Sequence, residues 1–78
     1  MAKVVADSEL LALGRGIRSY RLQRGYSQEQ LAERADLHRN YIGLVERGER
    51  NASAKALIQI ARALTVHPAD LWSELPRR

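Results

Sequence analysis

Between Ser27 and Gly48 the sequence leaves room for two helices of about two turns each, joined by roughly three residues, and helices that short are not stable alone in water. Ser27-Gln28-Glu29-Gln30 is a capping box: Ser27 can accept from the amide of Gln30 while the Gln30 side chain reaches back to the Ser27 amide. The helix it opens runs to about Ala35, because Asp36 begins a polar break before Leu37. A second helix takes Arg39 to Glu46, with Ile42 and Val45 facing inward, and Gly48 is suited to ending it after Arg47. Ala32 is small where the two helices would cross closely, and Leu31, Ala35 and Leu37 are apolar. Such a pair must be buried against further helices.

Those further helices are visible on either side. Ser8 is placed to cap a helix over about residues 9 to 24 in which Leu10, Leu13, Ile17 and Tyr20 recur at helical spacing, with Gly25 ending it in a left-handed turn. Gly14 and Gly16 each cost that helix roughly 0.5–1 kcal/mol relative to alanine, so its opening turns are expected to fray. Ser53 caps a fourth helix whose Leu57, Ile60, Ala61 and Leu64 form one apolar stripe. His67-Pro68 marks a fifth, with proline at its first position and Leu71, Trp72 and Leu75 as its apolar residues. No strand-like alternation, internal repeat or low-complexity linker interrupts the pattern. The expected fold is all-α: one domain over residues 1–78, five helices around a shared core.

A chain of 78 residues buries only about 60% of its unfolded surface, which leaves a modest core and little room for an enclosed active site. It has no cysteine, so disulfides and thiolate metal sites are excluded, and its two histidines, His38 and His67, show no metal-ligand spacing. No carboxylate pair, nucleophile-base pair or phosphate loop stands out, so neither catalysis nor a metal or cofactor is expected. Met1 to Asp7 lacks the length and cleavage pattern of a signal peptide, and the apolar runs are too short for a membrane span, which suits a cytoplasmic protein. Lys and Arg number 13 against 9 Asp and Glu, a formal charge of +4, and 11 of the 13 are arginine. Arginine is the residue best suited to planar, bidentate recognition of phosphate or guanine. The excess favours a polyanionic partner, although a small soluble domain also needs a charge of this size to stay dispersed.

Four stretches carry a resemblance: Ile17-Arg18-x-x-Arg21, Gly25-Tyr26-Ser27-Gln28-x-x-Leu31-Ala32, Tyr41-Ile42-x-x-x-Glu46-Arg47-Gly48 and Leu57-x-x-Ile60-Ala61-x-x-Leu64. Together they are similar to the Cro and phage-repressor (Xre-type) helix-turn-helix family over about residues 10 to 75, with the helix-turn-helix itself at about residues 28–46. The resemblance implies a compact, phage-repressor-like DNA-binding domain. It also implies a sequence-specific transcriptional regulator, usually a homodimer, whose third helix enters the major groove of a palindromic operator in double-stranded DNA. Within the family the size, with Arg39-Asn40-Tyr41-Ile42 and Glu46-Arg47-x-x-Arg50-Asn51, looks similar to the controller proteins of restriction-modification systems. Free-standing phage-type repressors and antitoxins are equally short, and a protein-binding adaptor could use the same scaffold.

The residues themselves support specific roles. Arg39 has the fork to bond guanine O6 and N7, Asn40 has the amide to bond adenine N6 and N7, and Arg50 is a third base-contact candidate beyond the helix. Leu44 can touch only a thymine methyl, and Gly43 offers no side chain at all. Gln28, at the positive end of the second helix, is a phosphate candidate, as are Tyr41, Arg47 and Asn51. On the resemblance, Arg21 and Glu46 form an architectural ion pair between the first and third helices. Asp36 stands where the family prefers glycine, and it tolerates a left-handed backbone better than most residues. His38 and His67 stand at helix N-cap positions and are expected to be structural. Trp72 and Leu75, with Ile58 off the main stripe of the fourth helix, are the expected dimer interface within about residues 58–75. No small-molecule ligand is expected. With no ligand-sensing domain expected after the fifth helix, regulation should rest on protein concentration and dimerisation, in the cytoplasm and on the nucleoid.

Overall fold

The structure, a computed structural model, describes residues 7–75; the basic end Pro76-Arg77-Arg78 and most of the N-terminal segment lie outside the described residues. The first helix, α1 (Ser8–Gln23), is capped by Asp7 rather than Ser8: the Asp7 carboxylate accepts from the amides of Glu9 at 2.9 Å and Leu10 at 3.1 Å. A carboxylate there also meets the positive end of the helix, an advantage a hydroxyl lacks. α1 runs unbroken through Gly14 and Gly16. Both glycines are points of close approach: a Cβ at Gly14 would overlap the carbonyl oxygens of Val45 and Glu46, and one at Gly16 the carbonyl of Leu71.

The second helix, α2 (Gln28–Ala35), opens on the expected capping box, Ser27 Oγ accepting from Gln30 N at 3.0 Å and Gln30 Oε1 from Ser27 N at 2.8 Å. It ends at Asp36, which takes the left-handed conformation at φ 58° and ψ 46°. Then α3 (Arg39–Glu46) follows His38, which holds the N-cap position through its backbone carbonyl, accepting from Tyr41 N and Ile42 N, while its side chain makes no capping hydrogen bond. The fourth helix, α4 (Ala54–Leu64), is capped by Ser53 Oγ, 3.1 Å from Ala56 N, and closes at Thr65 in the left-handed region.

The fifth expected helix is a 3-10 helix, Pro68–Trp72. His67 Nδ1 accepts from Ala69 N and Asp70 Oδ2 accepts from His67 N, both at 3.1 Å, while Ser73 N and Leu75 N bond three residues back to Asp70 and Trp72. Its five residues are too few to propagate an α-helix, and burying Leu71 beneath α1 holds the tighter turn in place.

α2 packs on α3 and α4, α1 packs on α3, and the 3-10 helix closes the gap between α1 and α4. Ile17, Leu31, Ile42, Ile60, Leu64 and Leu71 meet at the centre and are fully buried, each contributing about 1.5–3 kcal/mol over its exposed state. Side chains also tie helix ends together: Arg24 Nε donates to Leu64 O and Gln59 Nε2 to Ala35 O, both at 2.8 Å. The latter satisfies a carbonyl left over at the C-terminal end of α2. No described helix is long and apolar enough to cross a membrane.

Candidate nucleic-acid interface

The mount for α3 is a buried ion pair with unusually complete hydrogen bonding. Arg21 of α1 meets Glu46 at the end of α3 through Nε–Oε2 at 2.7 Å and Nη2–Oε1 at 3.0 Å, and its Nη1 donates to the Tyr26 carbonyl at 2.9 Å. Glu46 Oε1 also accepts from Gln28 Nε2 of α2 at 3.1 Å. One carboxylate therefore fastens three helices. Both members of the pair are buried, and among the described residues no buried side-chain polar atom lacks a partner. A two-toothed, fully partnered geometry of this kind is what lets a buried pair repay its desolvation.

Outside that mount, α3 turns a polar face to solvent. Arg39, Asn40, Gly43, Leu44 and Arg47 recur at helical spacing on that face and, with Gln28, line one shallow groove. Arg39 and Asn40 are exposed at the start of the helix, where side chains reach furthest. Arg47 folds back over the face: its Nη1 lies 3.1 Å from the point a Cβ on Gly43 would occupy, with Gln28 Oε1 3.6 Å from the same point. Glu49 holds the other side of that guanidinium, Oε2 standing 3.3 Å from Nε.

Several expected residues occupy distinct surroundings. Gln28 has one N–H of its side-chain amide engaged by Glu46 Oε1, which leaves its second N–H free beside the backbone amides that open α2. Tyr41 is half-buried against the core and its hydroxyl oxygen accepts from Ser53 N at 3.1 Å, which leaves its own proton free to donate. Arg50 lies off the groove, its guanidinium carbon 6.0 Å from the centre of the Tyr41 ring. Asn51 is exposed and lines a second cleft with Leu10, Leu13, Leu57, Trp72 and Leu75, apart from the groove on α3.

Trp72 and Leu75 are half-buried, and Trp72 packs on the core as well as bordering that cleft. Ile58 is 45% exposed and Leu22 on α1 is 56% exposed. Sequence reasoning singled out Ile58 for standing off its helical stripe. Leu22 stands off the stripe of α1 in the same way, and the same signal would have found it. The parts played by Gly43 and Glu49 had no sequence signal, because each depends on where the Arg47 side chain goes.

The helix-turn-helix family profile matches residues 17–71. The chain is 56% identical over 52 residues to the control protein C.SmaI of Serratia marcescens, a match covering 67% of this chain and 62% of that protein. It is 47% identical over 62 residues to the control protein C.BamHI of Bacillus amyloliquefaciens, covering 78% of this chain and 76% of the other. Among solved structures, the restriction-modification controller protein C.AhdI of Aeromonas hydrophila superposes with a TM-score of 0.82 at 40% identity, over 83% of this chain and 98% of that one. The chain belongs to the helix-turn-helix family of the Cro and phage-repressor type.

Proposed function

We propose that this protein is a sequence-specific DNA-binding transcriptional regulator that acts as a homodimer on a palindromic operator, of the kind represented by restriction-modification control proteins. The observation that carries the reading is the face of α3: Arg39 and Asn40 stand exposed, with Arg47 from just past its end in the same groove, on a helix fastened to α1 and α2 by a buried hydrogen-bond network. Arg39 is suited to the O6 and N7 of guanine and Asn40 to the N6 and N7 of adenine, while Leu44 meets a thymine methyl. The amides opening α2, with Tyr41 and Arg50, supply the sequence-independent grip on phosphates. Ile58, with the outer edges of Trp72 and Leu75, is the surface offered to a second copy, which would set two α3 helices about 34 Å apart, one DNA turn. Such a protein works in the cytoplasm, bound to the nucleoid.

Selection of preferred duplexes from a random pool tests the reading. The wild-type protein should enrich a two-fold symmetric sequence, and Arg39→Ala should lose its preference at one base pair of each half-site, there by about 5- to 100-fold. Enrichment of no sequence by the wild-type protein sinks the operator-binding reading. An unchanged preference in Arg39→Ala removes Arg39 from it.

A further inference from the structure

We infer that Arg47 is a third base-reading residue, laid across the reading face of α3 by the missing side chain of Gly43 and aimed by Glu49. This rests on the proposed DNA-binding function and assigns a determinant of its specificity. Arg47 follows α3 at its C-terminal end, where a side chain that pointed outward would reach only the flanking backbone. It does not point outward. Helical side chains lean toward the N-terminus, and that lean carries the Arg47 guanidinium one turn back. There its Nη1 comes within 3.1 Å, and its Cζ within 3.9 Å, of the place a Cβ on Gly43 would take. An alanine at position 43 would push that tip aside by a few tenths of an ångström, and a bulkier residue would take the space. With glycine there, the charge sits mid-helix, in the same groove as Arg39 and Asn40.

Glu49 decides which edge of the guanidinium remains free. Its Oε2 stands 3.3 Å from Nε, an ion-pair contact on that side of the guanidinium, which leaves Nη2 and the tip of the group without a carboxylate partner and able to turn to guanine O6 and N7. Both side chains of the pair are more than half exposed, 56% and 55%, so the contact adds little to stability, and its use lies in orientation. Leu44, the apolar residue of the groove, then leaves no gap in readout, because the arginine one turn on covers the stretch Leu44 cannot read. Arg50, set against the Tyr41 ring and off the groove, takes the phosphate contact that position alone would have given to Arg47.

The test is duplex selection with the wild-type protein and with Arg47→Ala, Gly43→Ala and Glu49→Ala, each first checked for an intact thermal transition. In Gly43→Ala the new Cβ meets the movable tip of Arg47 and, at ordinary contact distance, Gln28 Oε1, so its melting temperature should hold or rise. Arg47→Ala should lose preference at one base pair, distinct from the pair lost in Arg39→Ala, by about 5- to 100-fold, and Gly43→Ala should weaken preference at that same pair by less. Glu49→Ala should relax that pair while binding all duplexes more tightly, since it removes a negative charge. A wild-type logo that persists in Arg47→Ala, with affinity lowered evenly and the salt slope reduced by about one, would make Arg47 a phosphate anchor and overturn the proposal. So would a preference unchanged in Gly43→Ala or in Glu49→Ala. In those outcomes the wild-type enrichment still stands, whereas failure of the wild-type protein to enrich any sequence takes down the operator-binding reading itself.

Discussion

Arg21 and Glu46 are the two residues whose chemistry the rest of the molecule is arranged around. Glu46 accepts from Arg21 twice and from Gln28 once, and Arg21 spends its remaining nitrogen on the Tyr26 carbonyl. Removing one partner leaves a charge stranded in a buried place, so Glu46→Ala should lower stability by about 3 kcal/mol, seen as a shift in the urea midpoint. Arg21→Met combined with Glu46→Leu should cost less than Glu46→Ala alone, because no charge is then left without a partner. A double variant less stable than the single one would mean that the pair contributes more than it costs to bury. The family resemblance pointed to this pair, but the Gln28 bond that joins it to α2 was not legible. Two residues, eighteen positions apart in sequence, are brought together only by the crossing of α2 and α3. Thr65 was equally invisible: a β-branched residue at φ 60° is strained, and nothing in its sequence neighbourhood asks for it.

At the level of elements, the bounds of α2 and α3 and the caps of α2 and α4 read well, and the caps of α1 and α3 less well. The capping boxes and hydroxyl caps are local chemistry, bonds between residues three apart, and Ser27 and Ser53 do what their spacing says. Asp7 displaced Ser8 because two neighbouring residues could both cap, and backbone geometry chose between them. The glycines of α1 show the limit of propensity. By themselves they weaken a helix, yet Gly14 is where the end of α3 lies against α1 and Gly16 is where the 3-10 helix does. Gly14→Ala should therefore destabilise the protein by about 1–3 kcal/mol in urea unfolding, although alanine is the better helix former. The rigid carbonyls of Val45 and Glu46 have nowhere to go. A neutral or stabilising result would show that α1 and α3 are free to separate.

For the molecule as a whole, the proposed homodimer turns on which surface meets a second copy. Ile58 is an exposed apolar residue on α4 outside the core, which makes it a cleaner probe of association than Trp72, whose ring also packs within the monomer. Sedimentation across a concentration series should show the wild-type protein associating and Ile58→Glu remaining monomeric, with an unchanged thermal transition for the monomer. Association undiminished by that charge would move the interface elsewhere, with the exposed Leu22 of α1 the next surface to probe. The excess of arginine that argues for a polyanion is spread over the chain, and charge alone does not single out the DNA-facing side.

Read alone, the sequence determined the all-α architecture, the positions of α2, α3 and α4, and the identity of the residues at the head of α3. All of these follow from local chemistry: apolar periodicity, caps and turn residues act over a few positions and leave a readable trace. Tertiary structure decided what depends on distance. It determined that the fifth helix is a 3-10 turn pinned under α1, that Gln28 turns its amide nitrogen inward to Glu46, and that Arg47 rather than Arg50 lies in the groove with Arg39 and Asn40. The reason is physical: a long side chain comes to rest where its neighbours leave space and a partner, and at Arg47 the space is left by Gly43 and the partner is Glu49.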